Sequence, residues 1–342
     1  MLLLNVKINP ISIMVVLVVS GLLIFYIWSG RRHQSHTHSD DSNMSAEKVS
    51  IMQLLSVSID AAHRGGREVI AVRESSNIKE KSKGKTKEGA NNPITEGDVR
   101  SHRAMVGAIK KAFPDLVVIS EEHENLPDDL QRVPVPDRFI EEVTTKFVDD
   151  VSVPISDIVV WIDPLDATQE YTENLLHYVT TMVCVAVKGE PVLGVIHQPF
   201  EKYTAWGWVD HGHSDKLSIQ QSTADGIKII ASRAHQGTVN ETAIKAFGPT
   251  TQVIPAGGAG YKTLQVIQGN ADAYLHTTLI KKWDICAGAA LLKSVGGTMT
   301  TRAGATIDFS AAGSSKNDGG LLATLHDHDL FLTKLTAAAA AA

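Results

Sequence analysis

Two carboxylates and a hydroxyl stand within six residues in Asp163-Pro164-Leu165-Asp166-Ala167-Thr168. Ahead of them, the β-branched run Ile158-Val159-Val160 reads as a buried strand. The pattern predicts that this strand ends at Asp163, that Pro164 blocks further ladder pairing, and that Asp166 and Thr168 lie in the turn that follows. Carboxylates three residues apart at the carboxyl end of a strand can converge on one metal ion, and a hydroxyl two residues later can hold a water beside it. An Asp-Pro turn with an Asx cap explains the same residues without chemistry. Further acids delivered by other elements decide between the two.

Such acids are present. Residues 116–120 read as a short strand that ends in Glu121-Glu122, and Asp284 follows Trp283 at the start of a helix stopped by Gly296-Gly297. Glu121, Asp163, Asp166 and Asp284, with the Leu165 carbonyl between the two aspartates, form a set of hard oxygen ligands suited to Mg²⁺. No H-E-x-x-H, C-x-x-C or P-loop competes. Singly, each acid is also a cap or a surface charge, and Asp284 suits a helix start through the macrodipole alone. Thr95 and Asp98 precede a helix over residues 99–113, and either can cap it. Gly257-Gly258-Ala259-Gly260 opens another helix with free backbone N–H groups, an anion site when it borders a pocket, and Lys262 adds a point charge there. Close backbone packing explains those glycines equally well.

The elements that must position these groups fall into two regions. Val49, Met52, Leu55, Ile59, Ala62, Gly66 and Val69 recur at intervals of three and four, the mark of a long amphipathic helix. Residues 79–87, rich in lysine and without an apolar face, read as a mobile loop, either simply solvated or a basic flap over an anion. Residues 179–187 and 192–197 read as a hairpin, with 203–208 as a third strand alongside. The polar, turn-rich stretch 210–225 divides this region, 45–209, from a second one, 210–330, in which strands and helices alternate. The alanines of the tail, 331–342, read as frayed.

At the other end, residues 1–10 form a short tail, and 11–28 form an almost unbroken apolar run without a charge. That run is long for a signal peptide and lacks a small-residue cleavage site, so it reads as a transmembrane helix that stays attached. Lys7 on one side and Arg31 and Arg32 on the other leave its orientation undetermined. Residues 29–44, including His33, His36 and His38, read as a solvated stem. Cys184 and Cys286 each sit in an apolar run and read as small core residues rather than a disulfide or a nucleophile. Two glycosylation sequons begin at Asn43 and Asn240. Hydrophobic residues make up 43% of the 342, enough for a large core, and the formal net charge of -6 gives no footprint for nucleic acid.

Asp163-Pro164-Leu165-Asp166-Ala167-Thr168, the Glu121-Glu122 pair, and Trp283-Asp284 with Ala287-Gly288 occur in an order that resembles the lithium-sensitive, magnesium-dependent phosphatase superfamily of inositol monophosphatase. The resemblance covers residues 45–325. It implies an α+β fold, a layered α-β-α-β-α sandwich, and two or more Mg²⁺ ions held by Glu121, Asp163, the Leu165 carbonyl, Asp166 and Asp284. Asp98 and Thr168 then match the pair that orients and deprotonates the attacking water. Ala167 stands where the superfamily usually has glycine. With the Trp-Asp-Ile-Cys-Ala-Gly, Ser-Arg-x-His and Gly-Gly-Ala-Gly-x-Lys segments, that change is similar to the bisphosphate nucleotidase branch. The branch implies a small-molecule nucleotide bisphosphate substrate, 3'-phosphoadenosine 5'-phosphate, held by Ser232, His235, Gly258 and Lys262. The anchor beside that pattern resembles a single-pass type II protein of the Golgi membrane with its catalytic body in the lumen, serving sulfation. A homodimer is compatible with the resemblance. An inositol phosphate substrate, or a membrane-anchored nucleotide-binding protein without catalysis, remains open.

Overall fold

The computed structural model describes residues 47–85, 89, 91–123, 132–220, 226–234 and 237–340. The apolar run 11–28, the stem, the sequon at Asn43 and His235 lie outside the described residues. Among those described, no helix is long and apolar enough to cross a membrane.

Helix α1, Ile51–Glu74, starts at Ser50, whose hydroxyl accepts the Gln53 N–H at 3.0 Å. Its buried stripe, from Ile51 through Leu54, Leu55 and Ile59 to Val69 and Val72, follows the helical period expected from the sequence. Helix α2, Glu96–Ala112, packs beside it. Both lie on one face of a six-stranded sheet, ordered Gly212–His213, Tyr203–Trp208, Glu190–Gln198, Thr180–Val187, Ile158–Asp166, Val117–Ser120. All neighbours in it are antiparallel except the last two, which run parallel.

Strand Ile158–Asp166 is buried along its whole length, because both faces are covered. Ile158, Val160 and Ile162 point towards α1 and α2, while Val159 and Trp161 point the other way. That second face is covered by helix α3, Ala259–Ile267, and helix α4, Lys282–Ser294. Facing glycines Gly194 and Gly207 make the approach of α4 possible: a Cβ on either would drive into the Ala287 carbonyl or the Ser294 side chain. Beyond α3 and α4 lies a five-stranded sheet, ordered Gln252–Ala256, Lys228–Ser232, Ala273–His276, Leu321–Thr324, Thr298–Thr300. Its far face carries the helices Val239–Phe247 and His328–Ala340. The layers are therefore α-β-α-β-α, and Lys48–Ala342 forms one unit.

Four features differ from the sequence reading. Residues 81–85 form a strand, Lys81–Lys85, paired with Asn91–Ile94; main-chain pairing orders a segment that has no apolar face to signal it. The strand expected to end at Asp163 runs on to Asp166, because a bulge between those residues absorbs Pro164. Residues 337–340 of the tail, all alanine, continue a helix anchored by buried Phe331 and Leu335. Cys184 and Cys286 are core residues as expected, but they are also joined in a disulfide, with Cα atoms 5.6 Å apart.

Candidate active site

Strand register assembles the acids. Parallel pairing sets Ser120 opposite Ile162, and the Glu121 N–H donates to the Ile162 carbonyl at 3.1 Å, so Glu121 emerges beside Asp163. Asp284 arrives from the first turn of α4, where its carboxylate accepts the Lys281 N–H at 3.0 Å. The disulfide ties this helix to the sheet: Cys286 lies two residues past Asp284, and Cys184 pairs in register with Trp161, two residues before Asp163. One carboxylate oxygen each from Glu121, Asp163 and Asp284 lies within 4.8 Å of the others.

Burial pushes the Asp163 carboxyl well above its usual range, and the charges of Glu121, Asp166, Asp284 and Asp98 push it further. Asp284 is raised in the same way, by burial and then by Glu121 and Asp166. Glu121 is half-exposed and bonds to Lys83 of the hairpin at 2.8 Å; the same ammonium reaches Glu122 at 2.6 Å. Burial works against the charge on Lys83, yet the two glutamates hold its pKa above the ordinary lysine value. A basic flap was one of two readings of this segment, but nothing singled out Lys83; its pairing with the acids depends on a hairpin that hydrophobic periodicity cannot reveal.

The second assembly adjoins the first. Asp98 is the third residue of α2 and forms a capping box with Thr95, whose N–H and hydroxyl both donate to Oδ2, at 2.7 and 2.6 Å. Thr168 Oγ1 lies 2.9 Å from the other oxygen of Asp98 and 3.0 Å from the Leu165 carbonyl. One hydroxyl proton thus has two acceptors. Burial lifts the Asp98 pKa to about 7, opposed in part by the Thr95 hydroxyl and assisted by Glu121 and Glu122. Ala167 makes the turn that brings Thr168 back, with φ 70° and ψ 43° in the left-handed region. That is the conformation for which glycine is favoured.

Asp166 takes a different position from the other acids. Its oxygens accept the Ala259 N–H at 3.1 Å, the Gly260 N–H at 2.8 Å and the Thr180 hydroxyl at 3.1 Å. Two of the N–H groups expected to be free at the start of α3, those of Ala259 and Gly260, are therefore satisfied by this carboxylate, which the sequence places 93 residues before Ala259. Burial raises the Asp166 pKa despite Lys262 and these donors. Gly258 is required where it stands: φ is +64°, and a Cβ would lie 2.8 Å from the Tyr178 carbonyl and 2.9 Å from Asp166. Lys262 is buried over the Tyr274 ring and donates to the Gly258 carbonyl. Burial lowers its pKa to about 8, with Asp166, Glu170 and Asp284 opposing.

Ser232 ends its strand beside Ala256, immediately before the Gly257 turn. The next residue, Arg233, holds Glu170 and Glu173 at 3.3 and 2.5 Å. Sequence reasoning missed a group of rings here. His177, Tyr178 and Tyr261 contact one another, with centroids 3.9 Å apart for His177–Tyr178 and 4.8 Å for Tyr178–Tyr261. The dipeptide His177-Tyr178 ahead of a strand was the available signal.

A profile of the inositol monophosphatase family matches residues 51–332. The chain belongs to that family. It is 47% identical over 339 residues to a Danio rerio protein named inositol monophosphatase 3, covering 97% of this chain and 96% of that one. It is 50% identical over 297 residues to the Bos taurus Golgi-resident adenosine 3',5'-bisphosphate 3'-phosphatase, covering 84% and 80%. Among solved structures, the inositol monophosphatase from Anabaena superposes with a TM-score of 0.59 at 19% identity, over 84% of this chain and 96% of that one. CysQ from Bacteroides thetaiotaomicron gives 0.58 at 21%, over 81% and 98%. These two share the fold of this chain. Members of the family depend on Mg²⁺, and the cluster of Glu121, Asp163 and Asp284 has the donor type and spacing for a metal ion.

Proposed function

We infer that the protein hydrolyses the 3'-phosphate of 3'-phosphoadenosine 5'-phosphate, giving AMP and phosphate, in the lumen of the Golgi. The observation that carries the reaction type is the convergence of Glu121, Asp163 and Asp284 beside the Asp98–Thr168 pair. Burial and the neighbouring charge of Glu121 raise the pKa of Asp163 and of Asp284, an excess of negative charge that fits a dication, and all the donors are hard oxygens. Asp166 Oδ1 accepts one hydrogen bond and keeps a lone pair, so it and the Leu165 carbonyl complete a set for two or more Mg²⁺ ions. Bound there, such ions would neutralise the scissile phosphate and acidify a water, against an unaided reaction that enzymes accelerate by as much as ~10²¹.

The chain's own residues handle the proton. Thr168 Oγ1 takes it from the attacking water as its own passes to Asp98 Oδ1, 2.9 Å away. With a pKa of about 7, Asp98 can accept that proton near neutral pH and release it again. Attack is in line with the departing 3'-oxygen, without a covalent enzyme intermediate.

Ser232, His235, Gly258 and Lys262 hold the nucleotide and its 5'-phosphate. The rings of His177, Tyr178 and Tyr261 beside the Gly258 turn offer the adenine a stacking surface, which an inositol ring has no π-face to use. The bovine relative's name supports this substrate; the zebrafish relative's name supports an inositol phosphate. Lumenal placement draws support from the disulfide, which persists in oxidising compartments, from the exposed sequon at Asn240 and from the apolar run 11–28 as anchor. The test is phosphate release by the full chain from 3'-phosphoadenosine 5'-phosphate and from inositol monophosphate, with and without Mg²⁺. Release from the nucleotide that requires Mg²⁺ is expected; release from the inositol compound alone would overturn the substrate.

A further inference from the structure

A bulge takes residues out of a strand ladder, and their buried backbone groups must then find partners elsewhere. In the strand Ile158–Asp166, antiparallel pairing keeps register as far as Asp163 and resumes it at Asp166, with Pro164 and Leu165 bulged between them. Pro164 has no N–H, so three polar groups remain: its carbonyl, and the N–H and carbonyl of Leu165. Side chains take up all three. The Ser101 hydroxyl donates to the Pro164 carbonyl at 2.6 Å. The Leu165 N–H donates to Asp163 Oδ1 at 3.2 Å, and the Leu165 carbonyl lies 3.0 Å from the Thr168 hydroxyl.

Asp163 and Thr168 already belong to the candidate site; Ser101 is an addition to it. It stands on α2, one turn after Asp98. Positions 98, 101 and 102 share one face of that helix, and all three are buried. The face meets the site at three points: Asp98 reaches Thr168, Ser101 reaches Pro164, and His102 Nδ1 lies 2.9 Å from the hydroxyl of Ser120, the residue before Glu121. Helix α1 closes over Ser101, since a Cβ on Gly65 would collide with its hydroxyl. The single proton of that hydroxyl goes to the carbonyl, because its other neighbour, the Met105 sulfur at 3.4 Å, is a weak acceptor.

We propose that Ser101 is a positioning residue of the metal centre: it holds the Pro164 carbonyl and thereby orients the Asp163 carboxylate and the Leu165 carbonyl. A trans peptide unit is planar, with its C=O and N–H on opposite sides. Turning the Pro164 carbonyl towards α2 therefore sends the Leu165 N–H the other way, to Asp163 Oδ1, and that bond sets the rotation of the carboxylate. The Leu165 carbonyl follows on the next peptide, turned towards Thr168. Ser101 acts through these groups rather than on the substrate. The role rests on the acids acting as a Mg²⁺ centre, and it adds to that centre a residue outside the motifs that pointed to it.

The test is calorimetric titration of the full chain in detergent with Mg²⁺, comparing the parent with Ser101→Ala and Met105→Leu. Ser101→Ala removes the hydroxyl and adds no bulk; it should weaken Mg²⁺ binding about ten-fold, the low end for losing a group that orients a ligand. Met105→Leu removes the sulfur, keeps the volume and should leave the affinity unchanged. In phosphate release, Ser101→Ala should need about ten-fold more Mg²⁺ for half-maximal rate, with KM for the nucleotide unchanged at saturating Mg²⁺. A hydroxyl that only stabilised the fold would lower the thermal midpoint and move neither Mg²⁺ value. If Ser101→Ala melts early, the rise of its midpoint on adding Mg²⁺ reads the affinity instead, and a smaller rise than the parent's is expected. Unchanged Mg²⁺ affinity in Ser101→Ala, or an equal loss in Met105→Leu, would overturn the role of Ser101 alone. A parent that binds no Mg²⁺ would overturn the metal centre and this role with it.

Discussion

The two sheets bring opposite kinds of polar group to the candidate active site. From the six-stranded sheet, and from α2 and α4 packed on its two faces, come Glu121, Asp163, Asp98 and Asp284, buried or half-buried acids to which, among the described residues, Lys83 alone brings a bonded side-chain cation. From the edge of the five-stranded sheet come the Gly257–Gly260 turn, Lys262 and Arg233, donors that already hold Asp166, Glu170 and backbone carbonyls. The first side is electrostatically incomplete, and the second is satisfied. On the function proposed above, chemistry that needs added positive charge belongs to the acids, and the turn with its lysine holds substrate. Asp166 joins the two, accepting from the start of α3 while its charge reaches Asp163 and Asp284.

If that division is right, substitutions on the two sides separate turnover from binding. The largest expected effect is on the acid side: Asp284→Asn should abolish phosphate release while the protein stays folded. In metal-free buffer near pH 8 this variant should melt no earlier than the parent, because it loses a charge that burial disfavours. Near-parental release would break the assignment. Thr168→Val should lower kcat by about 10²–10⁴-fold with little change in KM, the range for losing a proton-transfer group. For the parent, kcat should rise with pH through about 7 as Asp98 becomes ionised. The sign for stability is the reverse. A carboxyl with its folded pKa raised keeps its proton in the folded state after the unfolded chain has released it, so the metal-free protein should lose stability between about pH 4 and pH 7. Thermal midpoints across that interval check it; a midpoint that climbs with pH would contradict the burial argument.

The disulfide sharpens the comparison by linking the strand that bears Asp163 to the helix that bears Asp284. It closes a loop of 102 residues, so Cys184→Ser should destabilise the protein by about 2–5 kcal/mol, readable by denaturant unfolding. An unchanged midpoint would mean that the cross-link adds nothing to core packing. On the binding side, Lys262→Ala should raise KM for the nucleotide about ten-fold, the worth of one charge-assisted contact, and leave kcat within a few-fold. An equal fall in kcat would move Lys262 into the chemistry. The smallest effect is expected at Ala167. Replacement by glycine relieves a left-handed backbone but frees the unfolded chain, so the midpoint should shift by no more than the equivalent of about 1 kcal/mol.

Much of the acid side was legible in the sequence because its signals are local. The β-branched run Ile158-Val159-Val160 marks a buried strand, and Glu121 and Asp284 each lie at an element boundary. The layered sandwich followed from the resemblance, with the antiparallel hairpin and the helix periodicity supporting it. What was hidden is non-local. Cys184 and Cys286 each looked like ordinary core residues, since nothing in an apolar run says which distant residue faces it. Asp166 captured the N–H groups at the start of α3 across 93 residues, so a turn that looked like a free anion site is already engaged. Pro164 looked like the end of a strand because a bulge that accommodates proline leaves no mark of its own in sequence. Tyr178 and Tyr261 lay outside any periodic pattern, and only the fold sets their rings together.

The central claim is that Glu121, Asp163 and Asp284, delivered by two strand ends and a helix, act as one metal centre. Calorimetric titration of the full chain with Mg²⁺ tests it most directly, using the parent, Glu121→Gln and Asp284→Asn. Saturable binding by the parent, weakened at least ten-fold by either substitution, is expected. Binding that survives both substitutions unchanged would contradict it.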